Sequence, residues 1–207
     1  MRIELLYITP NAEKVIETAG RTSYQSFEKQ TDNSYKPFIK MLIRNKHESV
    51  LEHATASFKI SGISRALSHQ LVRHRLCSFT QQSQRYVNEK NFNYIEPDDI
   101  KNNSTAHEIY IELMECIRNR YSQLRDLGIK KEDARFILPN STESEIIMTA
   151  NFRELRHVLT LRGEKAAQWE IRRLAIEILK ILKKKVPVVF QDMEIDEENQ
   201  IIQIKQV

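Results

Sequence analysis

One stretch late in the chain, Ala167 to Lys185, constrains the fold most. Ile171, Leu174, Ala175, Ile178 and Leu182 recur along one side at helical spacing, so this segment must lie as a helix against a core. Ser104 to Leu127 reads as a second long amphipathic helix, carrying Ile109, Ile117, Tyr121 and Leu124 and closed by Gly128. The chain has only 4 Gly and 5 Pro in 207 residues. That scarcity of turn formers argues against a loop-rich or all-β fold and for long helices with a modest sheet.

The remaining elements follow from shorter patterns. Strands are predicted over Met1–Ile8, stopped by Pro10, over Thr55–Ile60, with Gly62 as punctuation, and over Ser144–Ala150. Helices are predicted over Lys36–Asn45, Ile63–Arg75 and Asn151–Leu161, with a short one from Lys131 ending before Pro139. Residues 77–103 lack a clean period and read as a long ordered loop with room for one short strand. No linker or repeat breaks the chain, so one domain over residues 1–207 is expected.

Charge and cysteine usage narrow the classes of function. The net charge is +4, and Lys183, Lys184 and Lys185 are offset by the acidic stretch from Asp192 to Glu198. Such a lysine run reads as a solvated helix end rather than a nucleic-acid patch. Cys77 and Cys116 form no disulfide framework or zinc motif. No signal peptide or membrane-length apolar run is read, so a cytoplasmic protein with no membrane partner is expected.

The most informative feature is polarity on the wrong face. At ~100° per residue, Ile63, Ala66 and Leu67 set an inward stripe that Gln70, Arg73 and His74 continue. In the helix from Asn151, Leu155, Val158 and Leu159 share a face with Arg162. A buried guanidinium needs a partner, either a protein carboxylate or a bound anion. Two helices doing this together point to a pocket for a phosphorylated ligand, because arginine's planar fork suits phosphate and ring carbonyl edges.

The next residues carry a specific pattern: Arg73-His74-Arg75-Leu76-Cys77-Ser78-Phe79-Thr80-Gln81-Gln82-Ser83-Gln84-Arg85, or R-H-R-x-x-S-x-x-x-x-S-x-R. This resembles the hallmark of the flavin-dependent thymidylate synthases, the ThyX family. His47–His53, Ala134-Arg135-Phe136-Ile137-Leu138-Pro139, Asn151–Leu155 and Leu161-Arg162 with Ala167-Gln168-Trp169-Glu170-Ile171 resemble further family blocks in order and spacing. The resemblance spans roughly residues 20 to 190.

The resemblance implies an α/β (α+β) fold with an antiparallel sheet flanked by helices, assembled as a homotetramer with sites at subunit interfaces. It implies methylation of dUMP to dTMP, with 5,10-methylenetetrahydrofolate as carbon donor and NADPH-reduced FAD as hydride carrier. Ser49, Arg73, His74, Arg75, Gln81, Asn151, Arg153 and His157 fall at flavin-contacting positions. Gln70, Arg73 and Arg135 match dUMP contacts, and Gln82, Ser83, Gln84 and Arg85 match a loop that wraps the nucleotide from a neighbouring subunit. Arg162 matches the catalytic arginine that polarises the uracil. Thr80 and Gln81 stand where relatives often carry Asn and Glu, and residues 163–166 lack a histidine that some relatives have there.

Other reactive side chains read as structural. Cys77, between Leu76 and Phe79, is expected to be a buried thiol. Ser83 has no His–Asp pair to activate it and reads as a phosphate-loop donor. His47 and His53, six apart, make no metal motif and are expected in the core or hydrogen-bonded. Two rival readings are a basic helical nucleic-acid-binding protein, disfavoured because its arginines point inward, and a relative that hydroxymethylates a pyrimidine nucleotide or uses dCMP in place of dUMP, which the motif does not separate.

Overall fold

The computed structural model describes residues 1–205. Strand β1 (Arg2–Ile8) is followed by helices α1 (Ala12–Tyr24) and α2 (Tyr35–Arg44). A 3-10 turn over Glu48–His53 leads into β2 (Thr55–Ser64), α3 (Arg65–Leu71) and β3 (Ser78–Gln81). Then come α4 (Asp98–Lys101), the long α5 (Ser104–Asp126) and α6 (Lys131–Ala134), with a 3-10 turn over Arg135–Ile137. The chain ends through β4 (Glu143–Asn151), α7 (Phe152–Gly163), α8 (Trp169–Lys185) and a hairpin of β5 (Met193–Asp196) and β6 (Ile201–Ile204). Among the described residues, no helix is long and apolar enough to cross a membrane.

The main sheet is antiparallel, in the order β1-β2-β4-β3. Along β4, Ser144, Ile146, Met148 and Ala150 are buried and alternate with more accessible neighbours, as a period of two requires. In the separate hairpin, Met193 pairs with Ile204 and Asp196 with Ile201. The mixed fold and antiparallel sheet agree with the expectation from sequence.

By contacts the chain divides into two compact units. One comprises Met1–Arg2, Ile60–Gln70 and Thr80–Ile146, with Ile63, Leu67, Met114 and Tyr121 in its core. The other comprises Ile3–Lys59, Leu71–Phe79 and the chain from Ile147 onward. Ile16, Ile39, Phe58, Phe152, Leu155 and Phe190 are fully buried in it. There α8 buries the five residues of its predicted stripe. Each Ile or Leu so placed contributes roughly 1.5–3 kcal/mol. Gln168 caps this helix, its side-chain oxygen accepting from the Glu170 and Ile171 amides at 3.0 and 3.3 Å.

Three departures from the sequence reading have physical causes. First, the predicted helix over Ile63–Arg75 is only α3, Arg65–Leu71. Gly62 does not end the preceding strand: at φ +67 it lets β2 run on to Ser64. The Ser64 hydroxyl then accepts from the Leu67 amide at 2.9 Å, where a helix N-cap would. Past Leu71 the chain makes successive turns, so Arg73 and Arg75 are exposed and His74 alone turns inward. Second, Ile109 is 64% exposed, because α5 turns Met114 inward beside the expected Tyr121. Third, α1 and the carboxyl-terminal hairpin were not anticipated. His47 and His53 are both exposed rather than in the core, and His47 meets the hydrogen-bonded alternative, its Nδ1 3.3 Å from the Tyr24 hydroxyl.

Candidate active site

In the second unit α7 delivers the central group. Asn151 caps it, its Oδ1 accepting from the Glu154 amide at 2.8 Å. Leu155, Val158 and Leu159 are buried, and Arg162 follows in line with them, half-buried. Arg162 Nε donates to His74 Nε2 at 2.9 Å. A guanidinium has no acceptor, so Nε2 must be the bare nitrogen and the His74 proton sits on Nδ1. That N–H faces Glu154 Oε1 at 3.6 Å, too far for a full hydrogen bond but within reach of a charge–dipole attraction.

The surroundings hold His74 neutral. Burial, then the nearby Arg162, His157 and Arg73 charges, push its pKa from 6.5 down to about 4. The His157 ring meets it edge-on, 5.8 Å between centroids. Arg162 is itself lowered, first by burial and then by Arg73. His74, Glu154 and His157 do bring ligand atoms within 4.8 Å of one another. Arg162 takes His74 Nε2, however, which leaves Nδ1 protonated, and the positive field of Arg162 and Arg73 opposes a cation there. Cys77 donates to Glu154 Oε1 at 3.9 Å, and burial, with Glu154 beside it, pushes the thiol up to about 12. It is a structural thiol, as read from sequence.

The same unit contains a cavity of about 1110 Å³. Asn151, Arg153 and His157 line it, three of the predicted flavin contacts, together with Glu52, Arg156 and Asp192. Small-molecule sites commonly span roughly 300–1,000 Å³, so this one suits a large ligand. Arg153 Nη1 pairs with Glu52 Oε1 at 2.5 Å on the exposed rim, and that hydrogen bond raises the Arg153 pKa. Ser49 is exposed on the 3-10 turn over Glu48–His53. The sequence reading missed Glu154, Arg156 and Asp192. The Asn151-x-x-Glu154 spacing reads as a plain capping box, and a 36-residue separation hides the Arg156–Asp192 pair.

The first unit gathers the rest of the motif. Gln81 Nε2 donates to Ser68 Oγ at 2.9 Å and to Ser144 Oγ at 3.1 Å, which anchors the amide. Gln82 Nε2 donates to Glu89 Oε1 at 3.2 Å. Ser83 Oγ accepts from the Arg85 amide at 3.3 Å and Gln84 is buried. Arg85 pairs with Glu132 at 3.2 Å, and Arg135 Nε donates to the Glu132 carbonyl at 3.1 Å. Gln70 is half-buried near the end of α3. Arg65, which the sequence reading passed over, has its pKa lowered by burial and then by Arg135. This unit therefore offers a cluster of cationic groups beside the Gln82–Arg85 loop.

Comparison with known proteins gives one consistent set of likenesses. The family model described as thymidylate synthase complementing protein matches residues 4–188. The flavin-dependent thymidylate synthase of Geobacter sulfurreducens is 42% identical over 200 residues, covering 93% of this chain and 86% of that protein. That of Pyrococcus abyssi is 40% identical over 195 residues, covering 89% and 80%. Among solved structures, ThyX of Helicobacter pylori, complexed with FAD and dUMP, is similar at a TM-score of 0.79 and 27% identity, over 93% of this chain and 99% of that one. The UMP/dUMP methylase PolB of Streptomyces cacaoi, bound with 5-Br dUMP, is similar at 0.81 and 26% identity, over 92% and 93%.

Proposed function

The chain belongs to the thymidylate synthase complementing protein family, the flavin-dependent thymidylate synthases, and from that premise we propose how its residues divide the work. It is an FAD-dependent thymidylate synthase that acts on dUMP to form dTMP. Our reading adds 5,10-methylenetetrahydrofolate as carbon donor and NADPH as reductant. It takes residues 1–207 as one domain, assembled as a homotetramer in the cytoplasm.

The donor set suits the cofactor. The cavity beside α7 is large, and it presents the Arg153 guanidinium, the Asn151 amide and the His157 ring, groups fit to grip a dinucleotide's phosphates and sugars. Ser49, Arg73, His74, Arg75 and Gln81 complete our assignment of flavin contacts. When bound and reduced, FAD supplies the hydride.

The chain's own residues orient and polarise. Arg162 is proposed as the catalytic group, stabilising negative charge that develops on the uracil ring. One observation carries this: Arg162 reaches its position from an otherwise apolar helix face, and its Nε is steered by the neutral His74 ring at 2.9 Å. Neutrality matters, because a carboxylate in that place would offset the charge the substrate needs. Gln70, Arg73 and Arg135 are assigned to dUMP, with Gln82, Ser83, Gln84 and Arg85 reaching its phosphate from a neighbouring subunit.

The test is purification and a flavin spectrum, followed by a dTMP assay omitting each substrate in turn, with the product identified by mass. A yellow protein bleached by NADPH and dependent on folate and dUMP is expected. A colourless protein, or a hydroxymethyl product, contradicts the reading.

A further inference from the structure

The family match ends at residue 188, and the segment beyond it runs against the site helix at three levels. At the start of α7, the Phe190 ring meets the Phe152 ring edge-on at 5.8 Å, both fully buried. In the middle, Arg156 Nη1 and Nη2 donate to the two Asp192 carboxylate oxygens at 2.7 and 2.6 Å. Nη1 also donates to the Val189 carbonyl at 2.6 Å. At the end, Gly163 leaves room for Ile202, whose side-chain atoms would lie only 2.5–2.7 Å from any Cβ placed there. Both partners of the Arg156–Asp192 pair are buried, with side chains 9% and 4% exposed.

We propose that residues 189–204 form a brace for α7, and that Asp192 and Ile202 are positioning residues for His157 and Arg162. A two-pronged ion pair fixes direction as well as distance. A glycine seated on a branched side chain fixes how deeply the helix lies. His157 follows Arg156 directly and Arg162 precedes Gly163 directly, so each site group sits one residue from a point of attachment. A buried ion pair is weak support for stability as such; what this one supplies is a unique placement. The inference deepens the proposed function and rests on it for its turnover arm alone.

The experiment uses the full-length protein loaded with FAD and compares Asp192→Asn, Arg156→Lys and Gly163→Ala with the unaltered enzyme. Expected are a fall in kcat on the order of ten- to a hundredfold with KM for dUMP within about twofold. Faster amide exchange across residues 152–163 should accompany it. Adding Ile202→Gly to Gly163→Ala removes the crowding atoms and should restore part of the lost turnover. Arg156→Lys keeps the charge and loses only the fork, so it decides the matter if Asp192→Asn does not fold. Variants that melt earlier yet keep kcat and α7 protection would reduce the segment to ordinary stabilisation and overturn the proposal. If the unaltered enzyme makes no dTMP, the functional reading fails, while the exchange measurement still decides the brace.

Discussion

His74 and Arg162 form a pair in which each sets the state of the other. Arg162 fixes the imidazole proton on Nδ1, and the neutral ring directs the guanidinium. Arg162→Ala should therefore lower turnover far more than dUMP affinity, which steady-state kinetics beside equilibrium binding will read; equal losses would make it a binding contact only. His74 also makes folding depend on pH. Its folded pKa, about 4, lies below the ordinary 6.5, so the unfolded chain takes up the proton first. Stability is then complete above pH 6.5 and is lost as pH falls toward 4, by about 3 kcal/mol in all. Denaturant titrations of wild type and His74→Phe over that window should show the slope flatten in the variant. Cys77, its thiol raised to about 12 by burial and by Glu154, should resist alkylation at pH 8 in the folded protein and react once denatured, as mass spectrometry can follow. At this scale the sequence showed which groups were misplaced but not their partners. Arg73 was read as pointing inward, whereas the turns after Leu71 leave it exposed and bury His74 instead.

Helices with long, regular stripes are legible in the sequence. The α8 stripe and the α7 face were readable because burial alone dictates them. α3 was overextended because periodicity does not reveal that Gly62 can carry a strand onward at positive φ, or that Ser64 will cap a helix. The carboxyl-terminal hairpin escaped notice because each strand has only four residues, too few for a long alternation, and the first lies in the acidic stretch. Its importance lies in tertiary contacts, which no local pattern encodes. The cap of α7 offers a test at this scale. Asn151→Ala removes the acceptor for the Glu154 amide and should cost roughly 1 kcal/mol of stability, measured by urea titration. Flavin affinity should fall as well, since Asn151 also lines the cavity. A change in stability with flavin binding untouched would separate the cap from the site.

Across the whole molecule, the arginines form two groups, one on each unit. Arg73 and Arg162 belong to the unit with the cavity, and Arg85 and Arg135 to the unit with the Gln82–Arg85 loop. Leu76 in one unit, and Tyr86, Leu113 and Phe136 in the other, are exposed large apolar side chains. The proposed homotetramer gives these features one purpose, a nucleotide held by groups that a single chain need not supply alone. The family and fold could be read from motif order along the chain, but the composition of the proposed shared site rests on the family resemblance alone, because spacing in one sequence carries no information about a neighbouring copy. A crystal structure of the enzyme with FAD and dUMP tests this most directly. The guanidinium groups of Arg73, Arg85, Arg135 and Arg162 should surround one dUMP, with Arg85 donated by an adjacent subunit. Four guanidinium groups scattered away from the nucleotide, with every neighbouring copy included, would contradict it.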